Sequence, residues 1–174
     1  MKRVFLAFAF TLIASAAAAQ QSIIFIVRHA ERAEMPAQQR PPQPNMHASI
    51  LNDPPLSPAG QARAQKLAQV LRSAGIKHVY TSEFKRTRET AAPLAQQEKV
   101  KPVMAPAKDI DSLVTALKAA KEPTLVVGHA DLIPEILKKL GVTDAVAIAD
   151  SEYDNLFVVV RPVAGKPTFI RLRF

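Results

Sequence analysis

The chain has 174 residues, enough for one domain with a single core, and it contains no cysteine, which excludes disulfides and thiolate metal sites. Its 23 Lys and Arg against 15 Asp and Glu leave a formal charge of +8, a balance that suits anionic partners. There is no dense basic run and aromatic residues make up only 6%, a pattern that argues against nucleic acid.

Residues 1–19 read as a cleavable signal peptide. Lys2 and Arg3 precede an apolar run over 4–14, and Ala17-Ala18-Ala19 offers an A-x-A cleavage site before Gln20. The run is too short, with these flanks, for a membrane-spanning helix. The expected mature domain is therefore 20–174. It is periplasmic or secreted and not an integral membrane protein after cleavage. Removing Lys2 and Arg3 takes its charge from +8 to +6.

The next stretch, 22–32, is SIIFIVRHAER: five apolar residues, four of them β-branched, stopping in Arg28-His29-Ala30-Glu31. A continuous apolar run with polar bounds predicts a strand buried on both faces, as in a parallel sheet. Residues 32–55 are polar and proline-rich, which predicts a long loop of the kind that covers or binds. His47 and Asp53 lie in it and receive no role. Ser57 and Pro58 predict a helix start, with Ser57 as N-cap. Ala64, Leu67, Ala68 and Leu71 form its core face, and Gly75 ends it. A strand is expected over 77–80, then a basic helical turn in which Arg86 and Thr90 share a face. Pro93 is expected to interrupt or kink that helix.

A third strand is expected over 100–104. Asp109 reads as the cap of a helix reaching about residue 120, with Ile110, Val114 and Leu117 as its stripe. A buried strand over 124–127 ends in Gly128-His129-Ala130-Asp131, before a helix carrying Ile133, Ile136, Leu137 and Leu140. Strands over 156–161 and 168–173, joined through Ala164-Gly165, predict an antiparallel hairpin. The alternation implies an α/β fold, a three-layer α/β/α sandwich with a mostly parallel sheet and an antiparallel edge.

Three strands thus deliver Arg28-His29, Arg86 and His129 to one edge of one sheet, where open α/β sheets bind ligands. Guanidinium groups hold phosphate oxygens bidentately and stay charged. A neutral imidazole can attack phosphorus and split hydrolysis into two easier steps. A second imidazole can stabilise the developing charge, and the helix after His129 is expected to add its N-terminal amides.

Four blocks carry a resemblance: Arg28-His29-Ala30-Glu31, Leu56-Ser57-Pro58-Ala59-Gly60, Thr81-Ser82-x-x-x-Arg86-x-x-x-Thr90-Ala91 and Val126-Val127-Gly128-His129. In this order they resemble the histidine phosphatase superfamily, with its phosphoglycerate mutase-like fold. The compact size is similar to the small branch that includes SixA-type phosphohistidine phosphatases. The resemblance implies a phosphatase that needs no metal or other cofactor. It makes His29 the nucleophile, with Arg28, Arg86 and His129 completing the phosphate pocket. Ala30 stands where the family usually has glycine.

The proton donor is left open. The family's phosphomonoesterases carry an acid some twenty-odd residues beyond the second arginine, in a segment this chain has shortened. Asp109 is nearest by spacing, Glu31 and Asp131 flank the two histidines, and all three are candidates. The expected substrate is a phosphorylated small molecule or envelope sugar, since an exported protein is unlikely to meet phosphohistidine proteins of a cytoplasmic relay. The alternative is a phospho-ligand binding module that keeps the pocket without turnover. The pairs His29/Glu31 and His129/Asp131 also suit a metal, but two arginines beside them would repel it.

Overall fold

The apolar run before Arg28 forms β1 (Ser22–Arg28). It lies at the centre of a six-stranded sheet because both of its faces are covered. The computed structural model describes residues 21–34 and 53–174. The signal-peptide reading and most of the proline-rich loop, including His47, lie outside the described residues.

After β1 come α1 (Pro58–Leu71), β2 (His78–Thr81), α2 (Lys85–Glu98), β3 (Val103–Met104) and α3 (Ile110–Ala119). They are followed by β4 (Thr124–Gly128), α4 (Ile133–Lys139), β5 (Asn155–Arg161) and β6 (Thr168–Arg173). The sheet order is β3-β2-β4-β1-β5-β6. The first four strands are parallel, β5 is antiparallel to β1, and β6 is antiparallel to β5. Among the described residues no helix is long and apolar enough to cross a membrane.

The period-2 alternation of each strand divides the core into two layers. Ile24, Ile26, Val126 and Phe157 pack with Val114 and Leu117 of α3 and Ile136 and Leu137 of α4. On the other face, Val27, Val79, Leu125, Val127 and Leu156 pack with Leu67 and Leu71 of α1 and Leu94 of α2. This is the expected three-layer α/β/α sandwich.

Local expectations mostly hold. The Ser57 hydroxyl accepts from the Gly60 amide at 3.1 Å, and Asp109 accepts from the Ser112 amide at 3.1 Å. Two differ. Pro93 lies inside a continuous α2, because the helix buries Thr90, Ala91, Leu94 and Ala95 and that packing outweighs the ~3 kcal/mol that an interior proline costs. The third strand is only two residues long, since Pro102 brings no N–H to the ladder and both Val103 and Met104 are exposed.

Register places the site. Arg28 stands opposite Gly128, and Val127 stands opposite both Val27 and Thr81. The residues that follow these strand ends, His29, Ser82 and His129, therefore emerge side by side. The backbone N–H of His29 donates to the Gly128 carbonyl at 2.9 Å.

Candidate active site

The rings of His29 and His129 lie 5.4 Å apart, edge to face. Both are buried, as is Arg28. Together with Arg86 they line a cleft of about 570 Å³ at the carboxyl ends of β1 and β4. The four residues expected to form a phosphate pocket do converge.

His29 is held as a nucleophile would need to be. Its Nδ1 lies 2.8 Å from the Ala30 carbonyl oxygen, an acceptor only, so Nδ1 carries the proton. The lone pair is therefore on Nε2. Burial, with the nearby charges of Arg86, His129 and Arg28, lowers the pKa of His29 to about 3, against a smaller upward pull from the Ala30 carbonyl. The ring is neutral at pH 7. The Ala30 methyl is fully buried with Leu56 and Ala64, and the Ala30 amide donates to Thr90 Oγ1 at 2.9 Å. An alanine thus fills the space that the family's glycine leaves.

Arg28 spends one guanidinium nitrogen on three carbonyls, Ala149 at 3.1 Å, Asp150 at 2.8 Å and Glu152 at 3.1 Å, and its plane sits 4.0 Å over the Tyr153 ring. It therefore shapes the far wall of the cleft. Nε of Arg28 and Nε of Arg86 are buried without a hydrogen-bond partner among the described residues. Leaving such donors unsatisfied costs roughly 1–3 kcal/mol each.

Arg86 pairs with Asp53, not with Glu83 or Glu89. Its Nη1 is 3.3 Å from Asp53 Oδ1, and the Lys85 amide donates to Asp53 Oδ2. Glu89 instead accepts from the Leu56 amide at 2.7 Å, and Glu83 accepts from the Ala107 amide at 2.8 Å. The two ends of the proline-rich segment also meet, through a bridge between Arg32 and Leu56 and a bond from the Ala33 amide to the Pro55 carbonyl. Asp53, which the sequence left without a role, is thereby brought to the pocket.

His129 Nε2 lies 2.9 Å from Ser82 Oγ, and its Nδ1 lies 3.4 Å from Arg86 Nη2. Burial, then the charges of Arg86 and Arg28, lowers its pKa to about 4. The helix after His129 begins later than expected: 130–132 is a turn, and the Leu132 and Ile133 amides are spent on the His129 carbonyl, at 3.1 and 3.0 Å, which leaves the Ala130 and Asp131 amides as those that could face a ligand.

The three candidate acids fare differently. Glu31 is gripped by Arg63 through bonds of 2.7–2.9 Å; burial is the largest influence and raises its carboxyl, but the Arg63 bonds, its own backbone amide and the charges of Arg63 and Arg28 together hold it below the usual range. Asp109 is exposed and engaged as the α3 cap, whose hydrogen bonds to Ser112 lower its pKa. Asp131 lines the cleft but is exposed. The stretch 35–52 adds no further Asp or Glu.

Two buried neutral histidines make stability pH-dependent. Each has a folded pKa below its unfolded value of about 6.5. The unfolded chain therefore binds more protons as pH falls, so this stability is present above pH ~6.5 and is lost below it, at up to ~1.4 kcal/mol per pH unit per histidine. Urea unfolding at pH 7 and pH 5 should show a smaller loss in His29→Asn than in wild type. An equal loss would contradict the assignment.

The comparisons agree with this geometry. The family model of the histidine phosphatase superfamily (branch 1) matches residues 24–111, about half of the chain. The chain belongs to that superfamily, and at the level of the family it is a phosphatase. It is similar to the protein histidine phosphatase SixA complexed with tungstate, with TM-score 0.66 and 18% identity over 87% of this chain and 96% of that one. It also resembles a phosphoglycerate mutase from Bacillus anthracis, with TM-score 0.64 and 15% identity over 88% and 93% of the two chains. A third likeness is to a mycobacterial glucosyl-3-phosphoglycerate phosphatase, with TM-score 0.58 and 14% identity over 80% and 90%. At these identities the likeness speaks for the fold. A search of curated proteins finds none that matches the chain.

Proposed function

We propose that this chain hydrolyses a phosphomonoester, or a phosphoramidate, by passing the phosphoryl group through Nε2 of His29. The observation that carries the reading is the His29 ring itself: neutral, with its proton committed to the Ala30 carbonyl and its lone pair free between two arginines and a second histidine. The Nε2 pair forms the bond to phosphorus as the bond to the leaving group breaks. Arg28, Arg86 and His129 hold the non-bridging oxygens. Water then attacks phosphorus, releasing inorganic phosphate and restoring neutral His29. The pocket's own cations supply the charge stabilisation, and a metal ion brought between them would be repelled.

Of the three candidate acids among the described residues, Glu31 and Asp109 are engaged elsewhere and Asp131 lines the cleft open to solvent; Asp150 lines the same cleft, and Asp53 is paired with Arg86. A leaving aryl oxide or imidazole then needs little help, while an alkyl ester, a sugar phosphate included, would draw its proton from a carboxyl of the cleft such as Asp131 or Asp150, or from solvent. With the export signal read from residues 1–19, we propose a small phosphorylated molecule or envelope sugar met outside the cytoplasm. The same unplaced acid is what keeps the binding-module reading alive, and turnover decides between them.

The test is hydrolysis of an aryl phosphate by the chain from Gln20 in excess chelator. Turnover supports the enzyme; tight tungstate binding without turnover supports the binding module. In the same assay Asp109→Ala should keep its activity and unfold at a lower temperature than wild type as the α3 cap is removed. A large loss of turnover at unchanged stability would restore Asp109 as the acid.

A further inference from the structure

His129 ends a buried chain of hydroxyls whose direction can be worked out. Thr87 Oγ1 lies 2.7 Å from the Phe84 carbonyl, which only accepts, so the Thr87 proton is spent there. Ser82 Oγ, 3.0 Å from Thr87 Oγ1, must then donate to Thr87. With its proton committed, Ser82 Oγ can only accept from His129 Nε2, 2.9 Å away. The other ring nitrogen agrees, because Arg86 Nη2 beside Nδ1 can only donate. The proton of neutral His129 is on Nε2, and a bare Nδ1 faces the arginine that would hold the substrate.

A bare nitrogen repels a phosphate oxygen. We propose that Ser82, backed by Thr87, is a positioning residue that fixes the His129 proton on Nε2, so that His129 grips a phosphate dianion through Nδ1 only by taking up a second proton. The proton comes from solvent and leaves again with the product. The charges facing His129 explain why binding and protonation go together. Arg28 from β1 and Arg86 from α2 oppose a further positive charge, the His29 ring stands 5.4 Å away at the end of β1, and the carboxylates of Asp53 and Asp131 act on Arg86. A dianion seated between the arginines reverses that balance. The arrangement rests on the phosphate-site reading of the preceding subsection.

The experiment is 15N NMR of the histidine side chains with and without tungstate, a dianionic phosphate mimic, at pH 7. The chain has four histidines. Resolving each ring separates His129 from His29, whose Nε2 opens on the same cleft. Free wild type should show His129 neutral with the proton on Nε2, and the tungstate complex should show both of its nitrogens protonated. Ser82→Ala removes the acceptor at Nε2, so once tungstate takes the Arg86 N–H that faces Nδ1 in the free protein, His129 should carry its single proton on Nδ1 and bind tungstate while staying neutral. Tungstate affinity of the wild type should then fall by up to ~10-fold per pH unit above the free His129 pKa of about 4 and level off only where the complex itself loses the proton, and that of Ser82→Ala should stay flat.

Should Ser82→Ala not fold, Thr87→Val makes the same test, because it releases the Ser82 hydroxyl to donate to Nε2 and drives His129 to the same tautomer. Wild-type His129 remaining neutral with tungstate bound would overturn the proposal, as would a doubly protonated His129 in the tungstate complex of either folded variant. No tungstate binding at all would overturn the phosphate site itself.

Discussion

His29→Ala is expected to cut turnover of an aryl phosphate by ~10³-fold or more while leaving the chain folded. At that size the loss is about 4 kcal/mol of transition-state stabilisation. An arrangement in which His29 merely orients a phosphate would lose far less, because Arg28, Arg86 and His129 remain to bind it. An aryl phosphate has a good leaving group, so its rate reports the nucleophile without leaning on a general acid. The variant removes a ring with one hydrogen bond inside the site, to the Ala30 carbonyl, and relieves a desolvation penalty, so a folded protein is the expected background. Tungstate binding by the variant would verify that the pocket persists.

Gly60→Ala should be nearly as damaging by a different route. A Cβ at Gly60 would lie 2.1 Å from the Glu31 carbonyl oxygen and 3.0 Å from its carbon. Both are backbone atoms and cannot swing aside. The same carbonyl accepts from the Ser57 amide at 2.9 Å, so the first turn of α1 is docked on the backbone two residues beyond His29. The methyl must push α1 away or displace the segment that aims the nucleophile. Overpacking of this kind costs ~3 kcal/mol, a drop of roughly 6–12 °C in melting temperature for a chain of this size. Turnover should fall with it even below the melting transition. A variant with unchanged melting temperature and rate would show that α1 does not brace the site.

The two buried pocket histidines and Arg28 were legible because each stands at the end of an apolar run that reads as a buried strand, and strand ends of a parallel sheet share an edge; Arg86 was legible from the basic helical turn that follows the shorter β2. The Ser57 and Asp109 caps were legible for equally local reasons. What escaped the sequence was set by contacts between distant segments. Asp53 sits in a proline-rich stretch with no periodicity, and it reaches Arg86 only because residues 32–33 and 55–56 pair across the loop. Tyr153 and the carbonyls of 149–152 belong to an irregular segment wrapped on Arg28, and irregular backbone has no sequence period to read. Glu31 and Asp109 looked like rival acids by spacing alone, yet geometry gives one to Arg63 and the other to a helix end. Thr90 was visible as sharing a face with Arg86. Its bond to the Ala30 amide needed the packing of α2 against the end of β1.

The account stands on a covalent phosphohistidine. The measurement that tests it most directly is rapid quenching of wild type with an aryl phosphate, followed by denaturation in alkali, where a phosphorus–nitrogen bond to histidine survives, and peptide mapping by mass spectrometry. The account predicts a phosphoryl adduct on the peptide carrying His29, lost on acid treatment and missing from His29→Ala. Full turnover with no such adduct, or an adduct on another residue, would contradict it.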